Sequence, residues 1–179
     1  MRIREARLSE LPALQEIERA AGGLFREIGM PEIADDEPFS IEVLSGYVAA
    51  GRAWVAEEVP RVPADGVVLG YLIADMIDGN VHVEQVSVDP RFSRRGIGRL
   101  LLDRAADYAV EVGAPALTLT TFADVAWNAP HYRRCGFEVM ADAVIMPELR
   151  AVREHEGALG LDRWPRVCMR RWVDATPFG

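Results

Sequence analysis

Charged and apolar residues alternate over residues 1–7, which predicts a short first strand. The period then changes. Leu11, Leu14, Ile17 and Ala21 recur at helical spacing, so residues 10–21 are expected to form a helix, with Ser9 as N-cap and Gly22-Gly23 as its stop. Residues 25–39 keep no period and are expected to be irregular. Gly29, Pro31 and Pro38 interrupt them, and Glu27, Glu32, Asp35, Asp36 and Glu37 make them acidic. Ser40 is placed to cap a second helix that runs to Ala50 and ends at Gly51.

Strand-like patterns follow over residues 53–59, 67–77 and 81–88. The Pro-containing piece 60–66 predicts a hairpin loop, and Asp78-Gly79-Asn80 predicts a tight turn. Residues 96–112 read as a helix with Ile97, Leu100, Leu101, Ala105 and Tyr108 on one side, closed by Gly113 and Pro115. A buried strand is expected at 117–122 and a short helix at 126–135, stopped by Gly136. A strand opening at 137–139, a helix at 147–155 and a last strand at 167–173 complete the chain. Strands joined by crossover helices predict a mixed α/β domain.

Composition narrows the function classes. The chain has 179 residues, the usual size of one domain. Its formal net charge is -8, which argues against general phosphate-backbone binding and hence against a nucleic-acid partner. Acidity suits a cationic substrate and also simple solubility. Neither Cys135 and Cys168 nor His82, His131 and His155 show zinc spacing, so no metal site is expected. The cysteine usage reads as a reducing cytoplasm. No apolar run has signal-peptide or membrane-spanning length, so no membrane partner is expected.

The candidate chemistry begins at the strand that ends in Val86, Ser87 and Val88. That strand runs into a loop carrying Ser93, Arg94, Arg95, Gly96, Ile97 and Gly98, and a helix carrying Arg99 starts at once. Unpaired amides at a helix N-terminus, the positive end of its dipole, and the arginines together make an anion cradle. Glycine lets a phosphate approach the backbone closely. No Gly-Lys-Ser/Thr follows, so this is not a Walker loop, and position 101 is leucine, so it is not a dinucleotide-binding fingerprint. A nucleotide-binding protein is disfavoured on both grounds.

The stretch Ser93-Arg94-Arg95-Gly96-Ile97-Gly98 resembles motif A of the Gcn5-related N-acetyltransferase (GNAT) superfamily, Gln/Arg-x-x-Gly-x-Gly/Ala, with serine at the first position as a departure. Asn128, Tyr132 and Gly136-Phe137 resemble its motif B. The resemblance implies a single N-acetyltransferase domain over residues 1–179, with motif A in 81–112 and motif B in 117–139. It implies a mixed central sheet with splayed middle strands, flanked by helices, and acetyl-CoA as acyl donor. Val86, Ser87 and Val88 would pair with the pantetheine arm, and residues 93–99 would hold the diphosphate. Asn128 would complete the cofactor site, and Tyr132 would protonate the leaving thiolate.

Direct transfer to an amine also needs a base, because an alkylammonium has a pKa near ~10.4. His82 and Glu84 alternate with Val83 and so share a face of their strand. By resemblance either supplies the base, and Glu84 can also anchor the substrate ammonium. The oxyanion would be held by a backbone N–H, that of Val86. The first helices and the acidic segment 25–39 are expected to wall the acceptor, with Phe25, Phe39 and Trp127 as aromatic contacts, which suggests a small cationic amine. A protein amine is the alternative acceptor, and an acyl-CoA-binding module without turnover is the alternative function. Many relatives dimerise, and residues 167–173 are a candidate strand for a homodimer.

Overall fold

The computed structural model describes residues 1–59 and 66–173. The expected hairpin loop over 60–66 lies, apart from Gly66, outside the described residues. The hydrogen-bonded strand order is β1 (Arg2–Glu5), β2 (Ala53–Glu58), β3 (Val67–Ile77), β4 (Asn80–Val88), β5 (Ala116–Phe122), β7 (Arg166–Trp172) and β6 (Glu138–Val139). The chain divides into two compact units, residues 1–74 with 84–104 and residues 75–83 with 105–179.

In the first unit, β1 (Arg2–Glu5) pairs antiparallel with β2 (Ala53–Glu58), and β2 pairs antiparallel with β3 (Val67–Ile77). The helices α1 (Leu11–Gly22) and α3 (Ile41–Ala49) cover one face of these strands. Leu11, Leu14, Ile17 and Leu44 pack there with Val55, Tyr71 and Ile73. Removal of this apolar surface from water is the main stabilising term. The Arg104 guanidinium lies 5.4 Å from the ring of fully buried Trp54.

Two details of the first unit differ from the sequence pattern. Ser9 does not cap α1. It sits in a 3-10 turn (Leu8–Glu10), and Glu10 is the N-cap residue. The Glu10 carboxylate instead accepts from the backbone N–H of Arg7 at 2.8 Å and from Arg4. Nor is the segment after Gly22 irregular throughout. Gly22 and Gly23 both take right-handed helical angles (φ -58° and -53°), so the chain continues as a 3-10 helix (Gly23–Ile28). It turns only at Gly29, whose φ is 78°. A short helix α2 (Pro31–Ala34) follows. Ser40 caps α3 as expected, its hydroxyl accepting from the Val43 N–H at 3.2 Å.

In the second unit, β5 (Ala116–Phe122) pairs antiparallel with β7 (Arg166–Trp172), and β7 with the two-residue β6 (Glu138–Val139). β4 (Asn80–Val88) pairs in parallel with β5 at Val81↔Leu117 and His82↔Thr118. Asp78 and Gly79 have φ of 51° and 74°, the left-handed angles that a two-residue hairpin turn between β3 and β4 requires. Asp78 has a second role. Its carboxylate accepts from the N–H groups of Glu148 at 3.1 Å and Leu149 at 2.8 Å, capping α6 (Pro147–Ala158) from a distant part of the chain. The other end of α6 is fixed by Glu156, which binds Arg166 at 2.8 Å and Arg153 at 2.7 Å.

Candidate active site

α4 (Ile97–Glu111) follows the residues expected to hold the diphosphate. Asp89 organises their approach. Its carboxylate accepts from the N–H of Arg91 at 2.9 Å, and its own N–H bonds the carbonyl of Leu69 at 2.9 Å. Arg94 (φ 61°) and Gly96 (φ 75°) are both left-handed. Glycine adopts that geometry freely, whereas arginine does so at a cost of roughly 1–2 kcal/mol. Left-handed residues in a turn aim backbone N–H groups into a common concavity, the form of an anion nest.

Ser93, Arg94, Arg95, Gly96 and Arg99 are exposed. Arg95 pairs with Glu58 at 2.9 Å, and Arg99 lies 3.9 Å from Asp103. Arg94 has no ion-pair partner among the described residues. The Ile97 side chain is buried at 2% exposure, so only its backbone can reach a ligand. Ser87 is likewise buried, its hydroxyl accepting from Gln85 Nε2 at 3.0 Å. Val86, Val88 and Glu84 are half-buried. Close backbone packing fixes this strand: a Cβ on Gly70 would lie 2.7 Å from the Ser87 carbonyl oxygen.

His82 belongs to the second unit. It is 2% exposed, and its Nδ1 is hydrogen-bonded to Thr118 Oγ1 at 3.0 Å. Burial pulls its pKa from 6.5 down to about 4, opposed by the nearby carboxylates of Glu156 and Asp75. The imidazole is therefore neutral at pH 7.

The motif B helix, α5 (Ala129–Arg134), starts later than the sequence pattern suggests. Pro130 lies in its first turn, where a missing N–H costs nothing, and Asn128 becomes the N-cap residue. Asn128 Nδ2 donates to Thr121 Oγ1 at 2.8 Å, while its Oδ1 is buried without a partner. Such an orphaned acceptor costs about 1–3 kcal/mol unless a ligand or water supplies the donor. The Tyr132 N–H bonds the Asn128 carbonyl at 2.9 Å, which holds the two residues one turn apart. The Tyr132 ring packs edge-on against His131 and Phe137, with centroids 5.8 and 5.7 Å away. Burial pushes the Tyr132 phenol above its usual range. No group among the described residues hydrogen-bonds its hydroxyl.

The pattern reading missed Thr118 and Thr121, two polar members of an otherwise apolar strand. Of the expected acceptor contacts, Phe39 packs against the core, Trp127 is exposed and Phe25 is half-buried. Glu27, Glu32, Asp35, Asp36 and Glu37 are exposed, and Asp35 is paired with Arg26.

The sequence profile of the acetyltransferase (GNAT) family matches residues 15–137, and the chain belongs to that family. Its fold is similar to several solved structures. One is a ribosomal-protein-alanine N-acetyltransferase from Brucella melitensis, at 22% identity and TM-score 0.68, covering 97% of this chain and 100% of that one. Another is the PaiA N-acetyltransferase of Thermoplasma acidophilum in complex with coenzyme A, at 16% identity and TM-score 0.65, covering 96% and 98%. A Mycobacterium tuberculosis protein in complex with CoA matches at 18% identity and TM-score 0.67, covering 97% and 100%. The chain is thus a GNAT-type acetyltransferase.

Proposed function

We propose that this enzyme moves the acetyl group of acetyl-CoA directly to a small cationic amine within a ternary complex. The observation that carries the reading is the exposed loop before α4, with left-handed Arg94 and Gly96. Backbone N–H groups of residues 93–98 bind the diphosphate, and Arg94, Arg95 and Arg99 add charge. The backbone of Val86, Ser87 and Val88 pairs with the pantetheine arm. Asn128 Oδ1, buried and unpartnered, accepts an N–H from the same arm. All of these serve one N-acetyltransferase domain.

Glu84 takes the proton from the ammonium, directly or through a water. His82, neutral and hydrogen-bonded to Thr118, is the alternative base. The Val86 N–H stabilises the oxyanion as the amine attacks the thioester carbonyl. When the C–S bond breaks, Tyr132 gives its phenolic proton to the thiolate. Its hydroxyl has no competing partner among the described residues, and a pure binding module would have no use for it. Cys135 and Cys168 are both buried thiols outside any disulfide, which supports a reducing cytoplasm as the setting.

The test is thiol release from acetyl-CoA against a panel of amines and peptides. The sequence holds 20 arginines and no lysine, so it offers no side-chain amine for self-acetylation. Intact mass therefore controls for self-modification. Release with small amines supports the reading. Release with peptides alone assigns a protein amine instead.

A further inference from the structure

A cavity of about 810 Å³ lies beside α1 within the first unit, a volume that takes a small organic ligand. One wall is the flank of α1 that carries Ala13, Glu16, Ile17 and Ala20, residues three and four apart and so on one side of the helix. The opposite wall is the start of β3 at Val67 and Val68, with the segment Asp89-Pro90-Arg91 that leads out of β4. The cavity shares no residue with the stretches 86–88 and 93–99 assigned to the donor, nor with Glu84 and residues 25–39 assigned to the acceptor. Asp89 stands three residues beyond Val86, roughly 10 Å along an extended chain, so the cavity lies outside the reacting centre.

Four carboxylates line this cavity, and each is already paired. Glu57 and Asp89 are both 4% exposed. Glu57 receives Arg4 at 2.9 Å and Arg2 at 2.6 Å, and these guanidiniums hold its carboxyl down at about 2. Asp89 accepts from the Arg91 guanidinium at 2.6 Å and from the Arg91 N–H at 2.9 Å. Glu10 is bonded at both oxygens by Arg4, and Glu16 by Arg19 at 2.6 Å. The donors on the wall are in the opposite condition. Arg91 reaches Asp89 through Nε and Nη2, so its Nη1 has no partner among the described residues. Nor, among those residues, do the Arg7 guanidinium and the Ser9 hydroxyl, which also line the cavity, make a hydrogen bond. With the paired arginines included, five guanidiniums (Arg2, Arg4, Arg7, Arg19 and Arg91) meet four carboxylates. The local surplus is positive in a chain whose net charge is -8.

We propose that this cavity is a second binding site, for a small carboxylic acid anion with an apolar body. Its carboxylate takes the free N–H groups of Arg7, with Arg91 Nη1 and the Ser9 hydroxyl as the further donors in the same cavity. Its apolar body lies on Ile17, Val68 and Pro90. A cationic ligand is less well served. The buried carboxylates are held by their arginines, and only exposed Glu16 keeps an unpaired oxygen. Asp89 and Arg91 lead within two residues to Ser93, so the ligand sits at the root of the loop assigned to the diphosphate without using that loop.

The experiment titrates hexanoate, and hexylamine as its cationic counterpart, into the full chain by calorimetry, with and without saturating coenzyme A. One-to-one binding of hexanoate is expected in both conditions, and none of hexylamine. Arg7→Gln should raise the hexanoate Kd by about tenfold, the value of one charge-assisted contact. Ala13→Trp fills the cavity without touching a charge and should abolish hexanoate binding. Both variants should keep the wild-type melting temperature. Hexanoate binding that neither variant changes, or that coenzyme A displaces, places the probe elsewhere and overturns the proposal. Binding lost in Ala13→Trp but untouched by Arg7→Gln overturns the anionic class of ligand. So does tighter binding of hexylamine, and a wild type that binds neither probe overturns the site.

Discussion

His82 and Thr118 are ladder partners between β4 and β5, and their side chains are hydrogen-bonded at 3.0 Å. Burial of this imidazole keeps it neutral and gives folding a pH dependence. The folded-state pKa is about 4 against an ordinary 6.5, so between those values the unfolded chain binds the extra proton. Stability is full above about pH 6.5 and is lost as pH falls toward 4, by on the order of 3 kcal/mol. His131, also lowered by burial, acts in the same direction. In urea titrations across this range, His82→Gln should flatten most of the slope.

Asp78 combines a left-handed φ with a cap on α6, and the two contributions can be separated. Asp78→Gly removes the cap but suits the backbone, so a loss of about 1 kcal/mol is expected. Asp78→Ala removes the cap and adds left-handed strain, so it should cost about 1 kcal/mol more. Calorimetric unfolding of both variants gives the order.

In the proposed reading, Arg94 offsets the cost of its left-handed φ with charge offered to the diphosphate. Arg94→Gly should change stability by less than about 1 kcal/mol, since relief of the left-handed φ offsets the entropy of glycine. Its affinity for acetyl-CoA should fall severalfold and depend less on salt. Thermal unfolding and titrations at two ionic strengths check both parts.

Tyr132→Phe leaves the ring packing against His131 and Phe137 intact and removes only the hydroxyl. Turnover should fall by about a hundredfold, as for loss of a general acid, with acetyl-CoA affinity and melting temperature unchanged. Equal turnover would mean that the thiolate leaves without help.

Glu84→Gln should move the pH–rate profile. An unmoved profile would assign the base to His82 or to water, and His82→Gln then decides between them.

Local chemistry was legible wherever it decided the outcome. The β3 limits, the Ser40 cap and the Asp78-Gly79 turn all follow from residues acting on their own neighbourhood. The fold departs from the pattern where residue type alone does not decide which contact or backbone angle is adopted. Ser9 has the right chemistry for a cap, but the Glu10 carboxylate occupies the Arg7 N–H and Arg4, and the helix starts later. Gly22-Gly23 looked like a stop, yet neither residue is left-handed, and the turn waits for Gly29. Helical period pointed to a 147–155 helix but could not show that Asp78 caps it. In the candidate site, loop and motif residues were legible as types in a spacing. The partner of His82 is Thr118, and the cavity beside α1 gathers residues from Arg7 to Arg91; sequence distance hides both.

The most direct test is a calorimetric titration of acetyl-CoA into the wild-type protein and into Gly98→Asp, whose carboxylate would face the diphosphate. Saturable one-to-one binding by the wild type, lost in a variant that still unfolds cooperatively, is the predicted result. Equal affinity in the two proteins, or no binding by the wild type, would contradict the assignment of residues 93–99 as the diphosphate cradle.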